Sequence, residues 1–262
     1  MKQLVLVYRI ALLCLFSIPV IPSLAQTALP EQTYTYLIYH KLSPGLTIQD
    51  ALPVEREWRA INQAAVDEGK LIGWYMMVKQ MSSDPNAEYD YITVIVSPEM
   101  NMKGASPEAM KKIYGDSVQT RMTSLQNRDR ATAPVVKMEI WKTMIASFGS
   151  GFAPEKSPLL LVDFMKPRDS SNKWMVFPPL MQFYREGMKR NELLGGGLSG
   201  LVVPNGSEKG YSMLSFQNVT SLNVIDDATS EVVKLRNQFN SSLDIVREEV
   251  LRAMEYTKRP AK

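Results

Sequence analysis

Cysteine is almost absent from this 262-residue chain, which has one, Cys14. It falls in a segment with the character of a cleaved leader, so the mature chain is expected to have none. That excludes disulfides, thiolate catalysis, cysteine-ligated zinc and iron–sulfur clusters together. Histidine is nearly as scarce: His40 stands alone, and any imidazole chemistry must use it. There is no excess of charge of one sign. Of 30 basic and 27 acidic side chains, Lys2 and Arg9 lie in the leader, so 28 face 27 in the remainder. A nucleic-acid groove or polybasic membrane surface needs a real surplus of Lys and Arg, and neither is expected. No G-x-S-x-G elbow, Walker loop or H-E-x-x-H pattern occurs.

Long hydrophobic runs are also missing. The apolar stretch Ile10–Val20 is interrupted near its end by Pro19 and Pro22, and it is shorter than the ~20 residues a spanning helix needs. Lys2 and Arg9 give a positive flank, and Ser23-Leu24-Ala25 supplies small residues for cleavage before Gln26. Residues 1–25 therefore read as a secretory signal, with an uncleaved anchor as the alternative. Leu13 before Cys14 disfavours lipid attachment. An exported, cysteine-free chain fits a bacterial periplasm or a secreted protein of the bacterial envelope, with no membrane span after cleavage. Asn205-Gly-Ser, Asn218-Val-Thr and Asn240-Ser-Ser match a glycosylation pattern that only some hosts read.

What is present is a periodic α+β pattern. Strands are expected at Tyr34–Leu42, Tyr75–Met81, Tyr89–Val96 and Val135–Ile145. Helices are expected from Pro53 to about Lys70, and from Pro107 after the cap Ser106. This β-α-β-β-α-β order is a ferredoxin-like (split βαβ) unit. The pattern then restarts with a strand at Leu159–Met165, a helix from Pro178, and strands at Leu198–Val203 and Tyr211–Gln217. A long helix follows over Thr229–Tyr256, with Val232, Leu235, Phe239, Leu243, Val246 and Val250 on one side.

The halves overlay at nearly constant offsets. Lys41 and Trp58 match Lys166 and Phe183 at 125, while Gly73, Met110 and Ile113 match Gly195, Val232 and Leu235 at 122. The expected fold is therefore tandem ferredoxin-like repeats, 26–148 and 149–262, forming a pseudo-twofold α+β barrel. With the last segment read as helix, the second copy lacks a fourth strand and leaves an open edge. Such an edge motivates an alternative role as a non-catalytic envelope interaction module.

A duplicated unit of this kind, with Trp58 or Phe183 on its first helix and Gly73-Trp74 entering its second strand, resembles the dimeric α+β barrel superfamily. Its members include antibiotic-biosynthesis-monooxygenase-like, EthD-like and NIPSNAP-like proteins. The resemblance implies two sheets face to face, helices outside and a ligand cavity between them. It also implies a cofactor-independent monooxygenase or isomerase, or a binding protein for a small apolar molecule. One chain would then be a monomer with an internal pseudo-dimer, or a homodimer.

Alternation separates two faces of each strand. Leu37 and Tyr39, with Val162 and Phe164, form a consistently apolar face expected to meet the helices. The mixed face, with Tyr36, Ile38 and His40 beside Asp163 and Met165, is expected to line the cavity, joined by Tyr91 and Thr93. In an enzyme, His40 or Asp163 would move a proton and Tyr36 would orient substrate. The plain alternatives are a strand-end histidine bonded to backbone and an ion-paired aspartate. Gly195-Gly-Gly-Leu-Ser-Gly200 spells G-x-G-x-x-G but opens a strand rather than a helix, so it is expected to be a turn and not a nucleotide site. Fifteen methionines beyond Met1 suit an adaptable pocket better than a copper site. No metal or cofactor is expected.

Overall fold

A computed structural model describes residues 32–84, 86, 88–150, 152–156, 158–168, 177–204, 210–223 and 231–258. The expected leader and the Asn205-Gly-Ser pattern lie outside the described residues. Eight strands form one closed antiparallel barrel: β1 Tyr34–His40, β2 Gly73–Ser82, β3 Tyr91–Ser97, β4 Val135–Phe148, β5 Leu159–Pro167, β6 Leu193–Val203, β7 Met213–Val219 and β8 Leu243–Tyr256. Their order around the barrel is β1-β3-β2-β8-β5-β7-β6-β4. The first four strands run β4-β1-β3-β2 and the last four β8-β5-β7-β6, one order used twice and joined at β2–β8 and β4–β6.

Helices cover the outside. They are α1 Ile48–Asp67, α2 Pro107–Tyr114, α3 Val118–Thr132, α4 Phe177–Lys189 and α5 Glu231–Asn240. The Thr47 N–H donates to Asp50 Oδ2 at 2.8 Å and so closes the start of α1, five residues before Pro53 is reached. Ser106 caps α2 as expected, accepting from the Ala109 N–H at 3.1 Å with Pro107 at the first helical position. Ala51, Leu52, Ala65 and Val66 of α1 pack on Tyr36, Trp74, Met76 and Tyr91 of the sheet. Leu180, Phe183 and Tyr184 of α4 pack on Leu161, Met165 and Leu198. Among the described residues no helix is long and apolar enough to cross a membrane.

Three expectations are corrected. The long final helix is a short α5 followed by the 14-residue strand β8, which pairs with both β2 and β5. The open edge therefore does not exist, and closure removes the backbone template on which a strand-accepting module would depend. The glycine string is not a turn, because Gly195, Gly196 and Gly197 lie inside β6. A Cβ on Gly196 would stand 2.4 Å from the Tyr184 ring, and one on Gly197 would stand 2.6 Å from the Phe216 ring and 2.7 Å from the Ile145 carbonyl oxygen. Close approach of helix and neighbouring strands, not a φ > 0 turn, explains those glycines. The faces are also exchanged: Leu37, Tyr39, Val162 and Phe164 point into the barrel, and the mixed face lies under the helices.

Candidate functional site in the barrel interior

Each strand sends alternate side chains inward, and all eight contribute to one interior. One end is an apolar cavity of about 140 Å³. Its wall includes Leu37, Met77, Ile92, Trp141, Val162, Phe164, Leu214, Phe216 and Leu251, with Thr35, Thr143, Ser199 and Asn218 as scattered polar groups. No carboxylate or histidine is among its lining residues.

The other end is plugged by a buried polar network. Glu139, fully buried, accepts from Tyr39 Oη at 2.8 Å, from Tyr211 Oη at 2.7 Å and from Trp141 Nε1 at 3.3 Å, and lies 2.9 Å from Lys137 Nζ. Glu249, also buried, accepts from Tyr89 Oη and from Ser82 Oγ at 3.3 Å, and sits 3.3 Å from Arg247 Nε. The Arg247 guanidinium lies 4.0 Å above the Phe164 ring, and Lys137 Nζ lies 4.4 Å above that of Tyr39.

Burial, reinforced by the nearby carboxylates, pushes the Tyr39, Tyr89 and Tyr211 hydroxyls up, so all three stay protonated donors. Burial alone would lower the Arg247 pKa, but Glu249 and the surrounding tyrosines outweigh it and hold it above its ordinary value. Trp141 belongs to both layers: its ring walls the cavity and its N–H is tied to the plug.

None of the seven side chains singled out in the sequence lines this cavity. His40, Tyr91 and Thr93 do come together, but beneath α1 and α3. The His40 and Tyr91 rings stack at 4.6 Å, and Thr93 Oγ1 is 3.2 Å from His40 Nε2. Tyr36 Oη donates to the Met100 carbonyl, and Ile38 packs in the same helix-side core. Asp163 is fully buried in the other half, accepting from Ser215 Oγ at 3.0 Å and Gln217 Nε2 at 3.1 Å, with Met165 in the core beside it. The mixed face finds polar partners on that side, Glu55 of α1 for Tyr91 and Ser215 and Gln217 of β7 for Asp163, while the cavity end of the interior is walled by apolar side chains.

The plug was missed, although it left a signal. Tyr89 and Tyr211 stand 122 residues apart, the same spacing as Gly73 and Gly195, and Lys137-Met-Glu139 recurs in type as Arg247-Glu-Glu249.

No family model and no curated protein matches this chain. Solved structures do share its fold. A candidate monooxygenase from Fusobacterium nucleatum subsp. nucleatum superposes with a TM-score of 0.54 at 8% identity, over 87% of this chain and 94% of its own. One from Lactobacillus acidophilus gives 0.51 at 9% identity, over 88% and 98%. The chain thus has the ferredoxin-like α+β barrel fold of these monooxygenase-like proteins. Identities this low speak for fold alone.

Proposed function

We propose that this chain is an exported protein of the dimeric α+β barrel type that binds a small apolar molecule inside its barrel. Two tandem ferredoxin-like repeats, 26–148 and 149–262, would build the barrel within a monomer, and residues 1–25 would direct export to the periplasm or beyond. The observation that carries the reading is the cavity. At about 24 cal/mol per Å³ of void, 140 Å³ left unfilled costs roughly 3 kcal/mol. A void of about 150 Å³ lined by aliphatic and aromatic groups accepts benzene, so the size suits a single ring or a short branched chain.

Monooxygenase-type chemistry on that molecule is a second reading, supported by the fold shared with candidate monooxygenases. No titratable carboxylate or imidazole lines the wall, so the bound molecule would have to be readily oxidised itself. In such a reaction a CH₂ group and O₂ give a carbonyl and water, and the substrate supplies all the electrons. Isomerase-type chemistry needs a proton carrier at the wall and is less well supported. His40, Asp163 and Tyr36 take no part in either, since they face the helices.

Native mass spectrometry of the chain purified gently from its own envelope tests binding. A retained small molecule at one per chain, displaced by single-ring aromatics, is the expected result. A chain that emerges bare and shows no melting shift with any benzene-sized apolar probe would overturn it. Oxygen uptake on adding the recovered molecule separates catalysis from binding.

A further inference from the structure

On the helix side of the first half, three side chains from three elements converge: His40 at the end of β1, Glu55 on α1 and Asp129 on α3. One donor atom from each lies within 4.8 Å of the others. We propose that these three residues form a site for a first-row transition-metal dication of the Zn²⁺ type, distinct from the barrel cavity.

The histidine is prepared for that role. Its Nδ1 lies 3.0 Å from the Ala133 carbonyl oxygen, which can only accept, so the proton sits on Nδ1 and the lone pair on Nε2. An imidazole fixed by an N–H to carbonyl bond is the usual outer-shell arrangement of a metal-binding histidine. Thr93 Oγ1 lies 3.2 Å from Nε2 and would have to swing aside about χ1 to open that nitrogen to an ion.

The carboxylates are short of positive charge. Glu55 is buried and accepts a single phenolic hydrogen bond, from Tyr91 Oη at 2.7 Å. Asp129 accepts from Trp58, yet its Oδ1 is sealed from solvent and takes no hydrogen bond. Arg130 acts on Asp129 only at a distance. Among the described residues no cation is paired with either carboxylate, so their charge is left uncompensated where it is least solvated. An orphaned buried oxygen, a second carboxylate and an imidazole together make a donor set of the kind zinc accepts. Donors held at about 2.0–2.2 Å from one ion stand roughly 3–4 Å apart, so the trio must draw in by about 1–2 Å, within reach of side-chain rotation.

The test is a titration of chelator-treated mature chain with Zn²⁺ by calorimetry and with Co²⁺ by visible absorption. One saturable equivalent with a ligand-field band is expected, and Asp129→Asn should weaken binding by at least about 10- to 100-fold, the loss that even outer-shell substitutions cause. His40→Gln should do the same. Asp129 is half-buried, and Asn keeps an acceptor for Trp58, so this variant remains informative if His40→Gln fails to fold. Wild-type chain that shows no saturable uptake at millimolar Co²⁺ overturns the proposal. So does a folded Asp129→Asn that binds as tightly as wild type.

Discussion

Tyr211 Oη, two residues before β7, donates to Glu139 of β4 at 2.7 Å, binding the second half of the chain to the first. The counterpart runs the other way: Tyr89, two residues before β3, donates to Glu249 of β8. Glu139 pairs in register with Leu37 of β1 and Glu249 with Val162 of β5, equivalent positions in the two halves. The polar end of the barrel is thus one device used twice, with each half supplying the hydroxyl for the other's carboxylate.

That reciprocity sets a stability expectation. Tyr211→Phe and Tyr89→Phe should each cost about 1.5–3 kcal/mol, because each removes a hydrogen bond to a buried charged acceptor. Glu139→Ala should cost more, about 3–5 kcal/mol, since it removes the shared acceptor of three buried donors and the carboxylate beside Lys137. Urea unfolding of the three variants checks the order. Equal small losses throughout would mean that the plug contributes little.

Filling the void separates binding from folding. Val162→Phe places a ring in the cavity and should abolish ligand retention, while costing about 1–3 kcal/mol or less from overpacking. Asp163→Ala should behave in the opposite way. It leaves Ser215 and Gln217 without their shared acceptor and lowers stability by about 1–3 kcal/mol, yet it leaves ligand binding intact in the folded protein. Melting curves and ligand titrations on both variants decide it.

Glu55 predicts a pH dependence with a definite sign. Its pKa is raised from 4.5 to about 7 chiefly by burial, so the folded state holds a proton that the unfolded state has released. Its contribution is therefore full below the unfolded pKa and is lost as pH rises from about 4.5 to about 7, by roughly 3 kcal/mol at 1.36 kcal/mol per unit. His40, whose pKa is lowered by burial, works in the opposite sense as pH rises through its unfolded value. The difference between wild type and Glu55→Gln in chelator-containing buffer isolates the first effect. A difference that stays constant from pH 4 to pH 8 would contradict it.

The glycines of β6 give a steric test. Gly197→Ala forces a Cβ against the Phe216 ring and the Ile145 carbonyl oxygen, and should cost about 1–3 kcal/mol or more. Gly104→Ala, with nothing within 4 Å of the new atom, should change the unfolding midpoint little.

Local signals carried far in this chain. Ser106-Pro107 capped its helix where the pattern placed it, and alternation located β1 and β5 to within two residues at each end. The pattern failed at β8 for a readable reason. Its inward positions change character along the strand, charged at Arg247 and Glu249 and apolar at Leu251 and Ala253, so the hydrophobic alternation breaks. Leu243, Val246 and Val250 then imitate a helical stripe.

The α+β class, the near-balance of charge and the two faces of each strand were already legible in the order of residues. All of these are properties of composition or of neighbours a few residues apart. Which face encloses the cavity, that the barrel closes, and that His40 meets Glu55 and Asp129 came from the packing of distant segments. A period of two separates faces but does not say what covers each. That depends on partners such as Glu55 for Tyr91 and Ser215 for Asp163, which reach them only when distant segments pack together.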